Sequence, residues 1–247
     1  WYFIILVGAE KNVCLLRKYQ PDTNRILYHV LYLRSSVFIR VVDYASAGSQ
    51  NEKNRTLINR MLQIINNAAS NSGNVAVHSN GNEYTYKELL DASHLFASLL
   101  LKNETDLQQT RVAFMVNPGF DYVKVQWGIW RAGGVIVPLC LTHPLPSLEY
   151  VIEDTGSTIL VVSAQYESFI QPLVDQFNLR LIVLGKEESV ELKSLPEIAT
   201  SRNAMILYTS GTTNKPKGVV TTHDNLEAQI STLVDAWEWT PDDTTIC

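Results

Sequence analysis

The chain has 247 residues, 46% hydrophobic, 18% charged and 9% aromatic, with 12 Gly and 9 Pro; this is the composition of one or two globular domains and excludes intrinsic disorder and fibrous repeats. Its net charge of −5 is unevenly spread, residues 1–55 carrying +4 and residues 56–247 carrying −9. So acidic a body repels phosphate backbones, which argues against nucleic acid as a partner and requires that any anionic ligand be captured by local geometry.

The apolar runs Trp1–Val7 and Ile26–Leu33 fall short of the roughly 18 residues that cross a bilayer, so no membrane span is expected. Cys14, Cys140 and Cys247 are odd in number, far apart and without a C-x-x-C pair, which indicates neither a disulfide framework nor a zinc site and fits a reducing compartment, mitochondrial or cytoplasmic. Lys11, Arg17, Lys18, Arg25, Arg34 and Arg40 outweigh the single acid Asp22 between Lys11 and Val42. That is the bias of a mitochondrial presequence, and equally fits a mis-called or unfolded segment, since the chain opens on Trp1. The polar run Ser46–Arg55 then separates this leader, residues 1–55, from periodic sequence in residues 56–247.

Helix-period and strand-like segments alternate from Thr56 onwards. The pattern predicts a helix over Leu57–Ala69, a strand Val75–His78, a turn at Asn80-Gly81 and a helix Tyr86–Leu101, whose start is marked by the Thr85/Glu88 capping box. A strand Val112–Val116 follows, stopped by Asn117-Pro118-Gly119, then a helix Phe120–Ala132 and a strand Val135–Leu139. A helix Ser147–Asp154, strand Thr158–Val162, helix Gln165–Phe177 and strand Arg180–Leu184 continue the alternation up to an acidic loop at Glu187–Glu191. A strand Ala204–Tyr208, a hydroxyl-rich loop, a strand Val219–Thr222 and a helix Leu226–Trp237 close it. The strands are continuously apolar, as strands covered on both faces are, so the expected class is α/β with layered, mainly parallel sheets.

The segment with chemical content is Tyr208-Thr-Ser-Gly-Thr-Thr-Asn-Lys-Pro-Lys-Gly-Val219. Glycines at 211 and 218 admit close approach of backbone to ligand, hydroxyls and N–H groups donate to phosphate oxygens, and lysine supplies neutralising charge. A nucleoside triphosphate is the natural guest, although the spacing is not that of the P-loop NTPases, G-x-x-x-x-G-K-[ST]. The expected cradle is Thr209, Ser210, Gly211, Thr212, Thr213, Asn214, Lys217 and Gly218, with Lys215 a solvated loop charge and Pro216 fixing the backbone ahead of Lys217. Trp127, Trp130 and Val123 share helical spacing and read as core. His78, His94 and His143 lack ligand-spaced partners, His223 reads as the start of a helix, and no metal site is expected.

This string resembles the phosphate-binding signature of the adenylate-forming (AMP-binding) superfamily, aromatic-T-S-G-[ST]-T-G-x-P-K-G-V, with Asn214 where the family has Gly. Thr222-His-Asp-Asn-Leu226 is similar to the family's T-H-x-N-[LI], Tyr84-Thr-Tyr-Lys-Glu-Leu89 to its Y-T-Y-x-E-L element, and Trp130-Arg-Ala-Gly-Gly-Val-Ile-Val-Pro-Leu139 to its G-x-[AV]-x-x-P-L element. Segments Gln126–Thr155 and Leu233–Asp243 look most like the malonyl- and methylmalonyl-CoA synthetase branch. The resemblance covers Leu57–Ile246 and implies the N-terminal part of the adenylate-forming fold.

It further implies an ATP-dependent carboxylic acid:CoA ligase using ATP, Mg²⁺ and coenzyme A, which forms acyl-adenylate and then acyl-CoA. The family's adenine-contacting Tyr-Gly-x-Thr-Glu, ribose-binding Asp, hinge and catalytic Lys are expected beyond Cys247, so no catalytic residue is assigned within the chain and the 247 residues alone are expected to be inactive. An adenylation domain that loads a carrier-protein thiol, and an inactive truncated fragment, are the competing readings.

Overall fold

The structure, a computed structural model, describes residues 37–40, 62–209, 215–240 and 243–246. Its elements in chain order are β1 (Val37–Arg40), α1 (Gln63–Ser70), β2 (Val75–Ser79), β3 (Asn82–Thr85), α2 (Tyr86–Leu101), β4 (Arg111–Met115), α3 (Phe120–Arg131) and β5 (Val135–Pro138). They continue with α4 (Leu145–Thr155), β6 (Ile159–Ser163), α5 (Glu167–Phe177), β7 (Arg180–Leu184), β8 (Asn203–Thr209), β9 (Lys217–Thr222), α6 (His223–Ala236) and β10 (Thr244–Ile246).

The strands form two sheets. Six of them lie in the order β7-β6-β4-β5-β8-β9, parallel throughout except for β9, which returns antiparallel along β8. The other four, β10-β1-β2-β3, are antiparallel, so the expectation of mainly parallel sheet holds for the larger sheet. Strand β1 falls within the basic leader and pairs with β2, Phe38 opposite His78.

Alternation along the inner strands divides the core between the two faces of the six-stranded sheet. Val112, Phe114, Ile136, Ile159 and Val161 point to the side covered by α1, α2 and α3, where Ile65, Leu89, Phe96, Val123 and Trp130 are buried. Ala113, Met115, Val137, Leu160 and Val162 point to the opposite side, under Leu148 and Ile152 of α4 and Ile170 and Leu173 of α5. With both faces covered, the strands have no polar phase, which is why they read as unbroken apolar runs.

Local signals set the ends of the elements. Thr85 Oγ1 accepts from Glu88 N (3.2 Å) while Thr85 N donates to the Glu88 carboxylate (2.7 Å), closing the expected capping box of α2. Asn80 and Gly81 turn β2 into β3 with φ of 52° and 79°, the pair of positive values a two-residue I′ hairpin demands. Gly133 (φ 84°) follows α3, and a Cβ there would lie 2.1 Å from Asp106 Oδ1, so backbone conformation and space both require glycine.

Several elements differ in extent from the sequence reading. Helix α4 begins at Leu145 rather than Ser147, with Pro146 accommodated in the first turn, where its missing N–H costs nothing. Helix α6 begins at His223 rather than Leu226, because Thr222 and Asn225 form a second capping box. The residues Asn82–Thr85 form a strand, where the sequence reading passed from the turn directly to the helix. The first part of the helix expected from Leu57 lies outside the described residues, and α1 is described from Gln63.

Candidate active site

Strand β8 runs parallel to β5, with Met205 opposite Ile136, then folds back into β9 with Tyr208 opposite Gly218 and Thr209 opposite Lys217. The tip of this hairpin therefore stands at the carboxyl end of the parallel strands, where open α/β sheets bind their ligands. Of the expected phosphate cradle, Thr209, Lys217 and Gly218 are described, and Ser210, Gly211, Thr212, Thr213 and Asn214 lie outside the described residues. Thr209 and Lys217 are both exposed and share one face as directly opposed cross-strand partners, which sets a hydroxyl beside a cation at the mouth of the loop. Lys217 has no ion-pair partner among the described residues, leaving its charge available to an anion. A Cβ on Gly218 would lie 3.0 Å from Ile206 and 3.2 Å from the Tyr208 ring, so a larger residue would press directly on the strand that leads into the loop.

Three sets of contacts fix the hairpin to the body. At its far end, Arg202 makes a forked pair with Asp106, Nη1 to Oδ1 at 3.1 Å and Nη2 to Oδ2 at 2.8 Å, just before β8 begins. Burial acts to raise the Asp106 carboxyl, but the guanidinium and the Gln108 N–H outweigh it and hold the group below its usual range. In the middle, Trp130 Nε1 donates to the Ala204 carbonyl at 2.8 Å, tying α3 to β8. At the loop end, α4 reaches β8 and the residue just ahead of β9. Tyr150 OH donates to the Pro216 carbonyl at 3.1 Å, and the Asp154 carboxylate accepts from Tyr208 OH. The Tyr150 and Tyr208 rings meet edge to face with centroids 6.0 Å apart. Lys215, exposed as expected, carries its Nζ 5.4 Å from the Tyr150 ring centroid. Partial burial and the Asp154 charge both raise the Tyr208 phenol above its ordinary value, so it stays protonated and acts as a donor.

His223, His94 and His78 are engaged in contacts away from the hairpin tip. His223 opens α6 at the end of β9 remote from the loop, is 3% exposed, and packs its ring 5.7 Å from Trp130. Burial pushes its pKa down to about 4, against the pull of Asp224 and with a contribution from Arg202, so it is a neutral core residue at pH 7. His94 Nε2 hydrogen-bonds the Lys193 carbonyl at 2.8 Å, and His78 lies 3.5 Å from Glu83 across the β2–β3 hairpin. Trp127 and Trp130 are buried, as their spacing implied. Among the described residues, no cluster of three His, Cys, Asp or Glu could hold a metal ion, and no helix is long and apolar enough to cross a membrane.

A family model described as AMP-binding enzyme matches residues 65–247, which takes in the hairpin and the whole six-stranded sheet. The chain belongs to the AMP-binding enzyme family. As an AMP-binding enzyme it is similar to the mitochondrial malonate–CoA ligase ACSF3 of Xenopus laevis, with 30% identity over 235 residues, 89% of this chain and 40% of that protein. The Homo sapiens protein of the same name is 34% identical over 200 residues, 74% of this chain and 34% of its own length. Among solved structures, apo MatB from Rhodopseudomonas palustris superposes with a TM-score of 0.59 at 29% identity, over 66% of this chain and 34% of MatB. The chain thus spans well under half the length of these relatives and matches the N-terminal part of adenylate-forming enzyme structures.

The sequence singles out the hydroxyl- and lysine-rich string and carries no sign of the contacts that hold its hairpin. Tyr150 and Asp154 lie one helical turn apart, a spacing common to any amphipathic helix, and their partners are 66 and 54 residues away. Arg202 and Asp106 are separated by 96 residues and carry no local pattern.

Proposed function

We propose that the intact protein is an ATP-dependent carboxylic acid:CoA ligase of the malonyl-CoA synthetase kind, with residues 1–55 a basic leader and residues 56–247 the N-terminal portion of its AMP-binding domain. The observation that carries this reading is the hydroxyl- and lysine-bearing hairpin at the carboxyl end of the parallel sheet, in a chain whose relatives are named malonate–CoA ligases. The mitochondrial names of those relatives, with the basic bias of residues 11–42, favour a mitochondrial location.

In the first half-reaction a carboxylate oxygen attacks the α-phosphorus of ATP, the bond to the β-phosphate oxygen breaks, and acyl-adenylate and pyrophosphate result. In the second, the CoA sulfur attacks the acyl carbonyl and AMP leaves. Negative charge gathers on the phosphates in the first step, so donors fixed beforehand around them give the largest acceleration. Thr209, Ser210, Gly211, Thr212, Thr213, Asn214 and Gly218 are assigned to the phosphate oxygens through hydroxyl and backbone N–H groups, and Lys217 to the charge. Mg²⁺ bound with the nucleotide would neutralise charge on the triphosphate. The acid and coenzyme A are the remaining substrates.

The test uses the intact protein with ATP and a panel of acids, following AMP release. Malonate is expected to be turned over well ahead of palmitate; the reverse order removes the substrate assignment. In the same assay format, Lys217→Ala is expected to lower pyrophosphate exchange by about 10²-fold or more, the effect of one charged donor lost from a closed site, while Lys215→Ala changes little. Equal losses would reject these roles.

A further inference from the structure

We propose that Tyr150 and Asp154 are positioning residues that hold Thr209 and Lys217 at the geometry phosphate binding needs; this rests on the ligase reading above. The two side chains leave the same face of α4, one turn apart. Each takes one strand of the hairpin at the residue next to a phosphate ligand. Asp154 holds Tyr208, the neighbour of Thr209, and Tyr150 holds the Pro216 carbonyl, the neighbour of Lys217.

A single anchor would leave the hairpin end free to pivot about it. Two anchors on opposite strands, backed by the Tyr150–Tyr208 edge-to-face contact, fix its tilt relative to the sheet. Among the described residues β9 pairs with β8 alone, so the ladder braces it there from one side. Val219 and Val220 on β9 are about half exposed, so side-chain packing contributes little restraint at this point. Partial burial and the Asp154 carboxylate raise the Tyr208 phenol above its ordinary value, which keeps it the donor in the Tyr208–Asp154 link.

The tether also accounts for Lys215. Its ammonium stands over the Tyr150 ring, drawn to the face of the aromatic group. That position leads the Lys215 charge towards α4 and leaves Lys217 as the cation beside Thr209.

Trypsin cleaves the Lys217–Gly218 bond only when the end of β9 frays, whereas the Lys215–Pro216 bond resists it. The experiment therefore measures nicking after Lys217 by mass spectrometry in the intact protein, with and without ATP, alongside pyrophosphate exchange. Tyr150→Phe, which keeps the ring and removes the donor, and Asp154→Ala are each expected to raise nicking about tenfold, the effect of one lost hydrogen bond. Both are expected to raise by a similar factor the ATP concentration that half-protects the bond and the KM for ATP, with the KM for coenzyme A unmoved. Asp154→Asn, whose carbonyl oxygen can still accept from Tyr208, should recover most of the loss, and the exposed neighbour variant Glu153→Gln should behave as wild type.

Nicking rates equal to wild type in both variants overturn the proposal. Faster nicking with unchanged ATP protection and KM also overturns it, since the contacts would then be structural only. A wild-type protein that shows neither exchange nor ATP protection refutes the ligase reading instead, and with it the positioning role that depends on it.

Discussion

His223 combines a family-like motif position with a core environment, and its titration separates the two. The folded ring has a pKa of about 4 against 6.5 for the free side chain. Between these values the unfolded chain binds more protons than the folded one, so stability rises with pH across that window and falls as pH drops from 6.5 to 4. Taking up a proton on the buried ring destabilises the fold by about 3 kcal/mol in full, of which about 2 kcal/mol is reached by pH 5. His223→Gln is expected to flatten the difference in unfolding free energy between pH 7 and pH 5 by about that amount in denaturant titrations. Parallel profiles for the two proteins would mean that the ring is solvated. At this scale the sequence was informative where a residue's role follows from its neighbours in the chain, as with the 3–4 spacing that buries Trp127 and Trp130. It was silent on Tyr150, whose partner Pro216 is separated from it by a strand, a helix and two further strands.

Among the elements, periodicity named the helices and the apolar strands between Val75 and Thr222 correctly, and apart from strand β3 the errors gathered at the ends, where capping chemistry decides. Helix α2 runs from Tyr86 to Leu101 as read, because Thr85 and Glu88 satisfy one another's backbone N–H groups. Thr85→Ala removes the side-chain acceptor for Glu88 N and is expected to cost about 1 kcal/mol, with the denaturant slope unchanged; Thr85→Ser should retain most of it. An unchanged midpoint for Thr85→Ala would show that packing of Leu89 and Phe96 alone fixes the helix start. The apolar run marked α6 only from Leu226 although His223 read as a helix start, because the box closes with Asn225, a shorter partner than the Glu or Gln of the usual pattern. Strand β3 escaped because it has only four residues, all exposed or half-exposed, and owes its form to pairing with β2.

For the whole molecule, alternation of helix and strand pointed to a parallel sheet, but the order β7-β6-β4-β5-β8-β9 rests on contacts between distant segments that no local pattern records. That order places the phosphate hairpin at one side of the sheet, with β9 as its outer strand. The curated relatives are at least about twice as long as the part matched here, 40% of the Xenopus laevis protein and 34% of the human one. Adenylate formation needs the α-phosphate, the acid carboxylate and their stabilising groups held together within a fraction of an ångström, and loss of that positioning removes several kcal/mol of catalysis. The 247 residues by themselves offer the phosphate loop, with Lys217 exposed and an overall negative charge opposing a polyanion. Expressed alone, this chain is therefore expected to bind ATP weakly and to give no pyrophosphate exchange above background with malonate. The half-exposed Val219 and Val220 on the edge strand should further drive self-association, visible by size exclusion as species larger than a monomer. A soluble monomer that exchanges pyrophosphate would overturn both expectations and would mean that the groups completing adenylate formation lie within these residues.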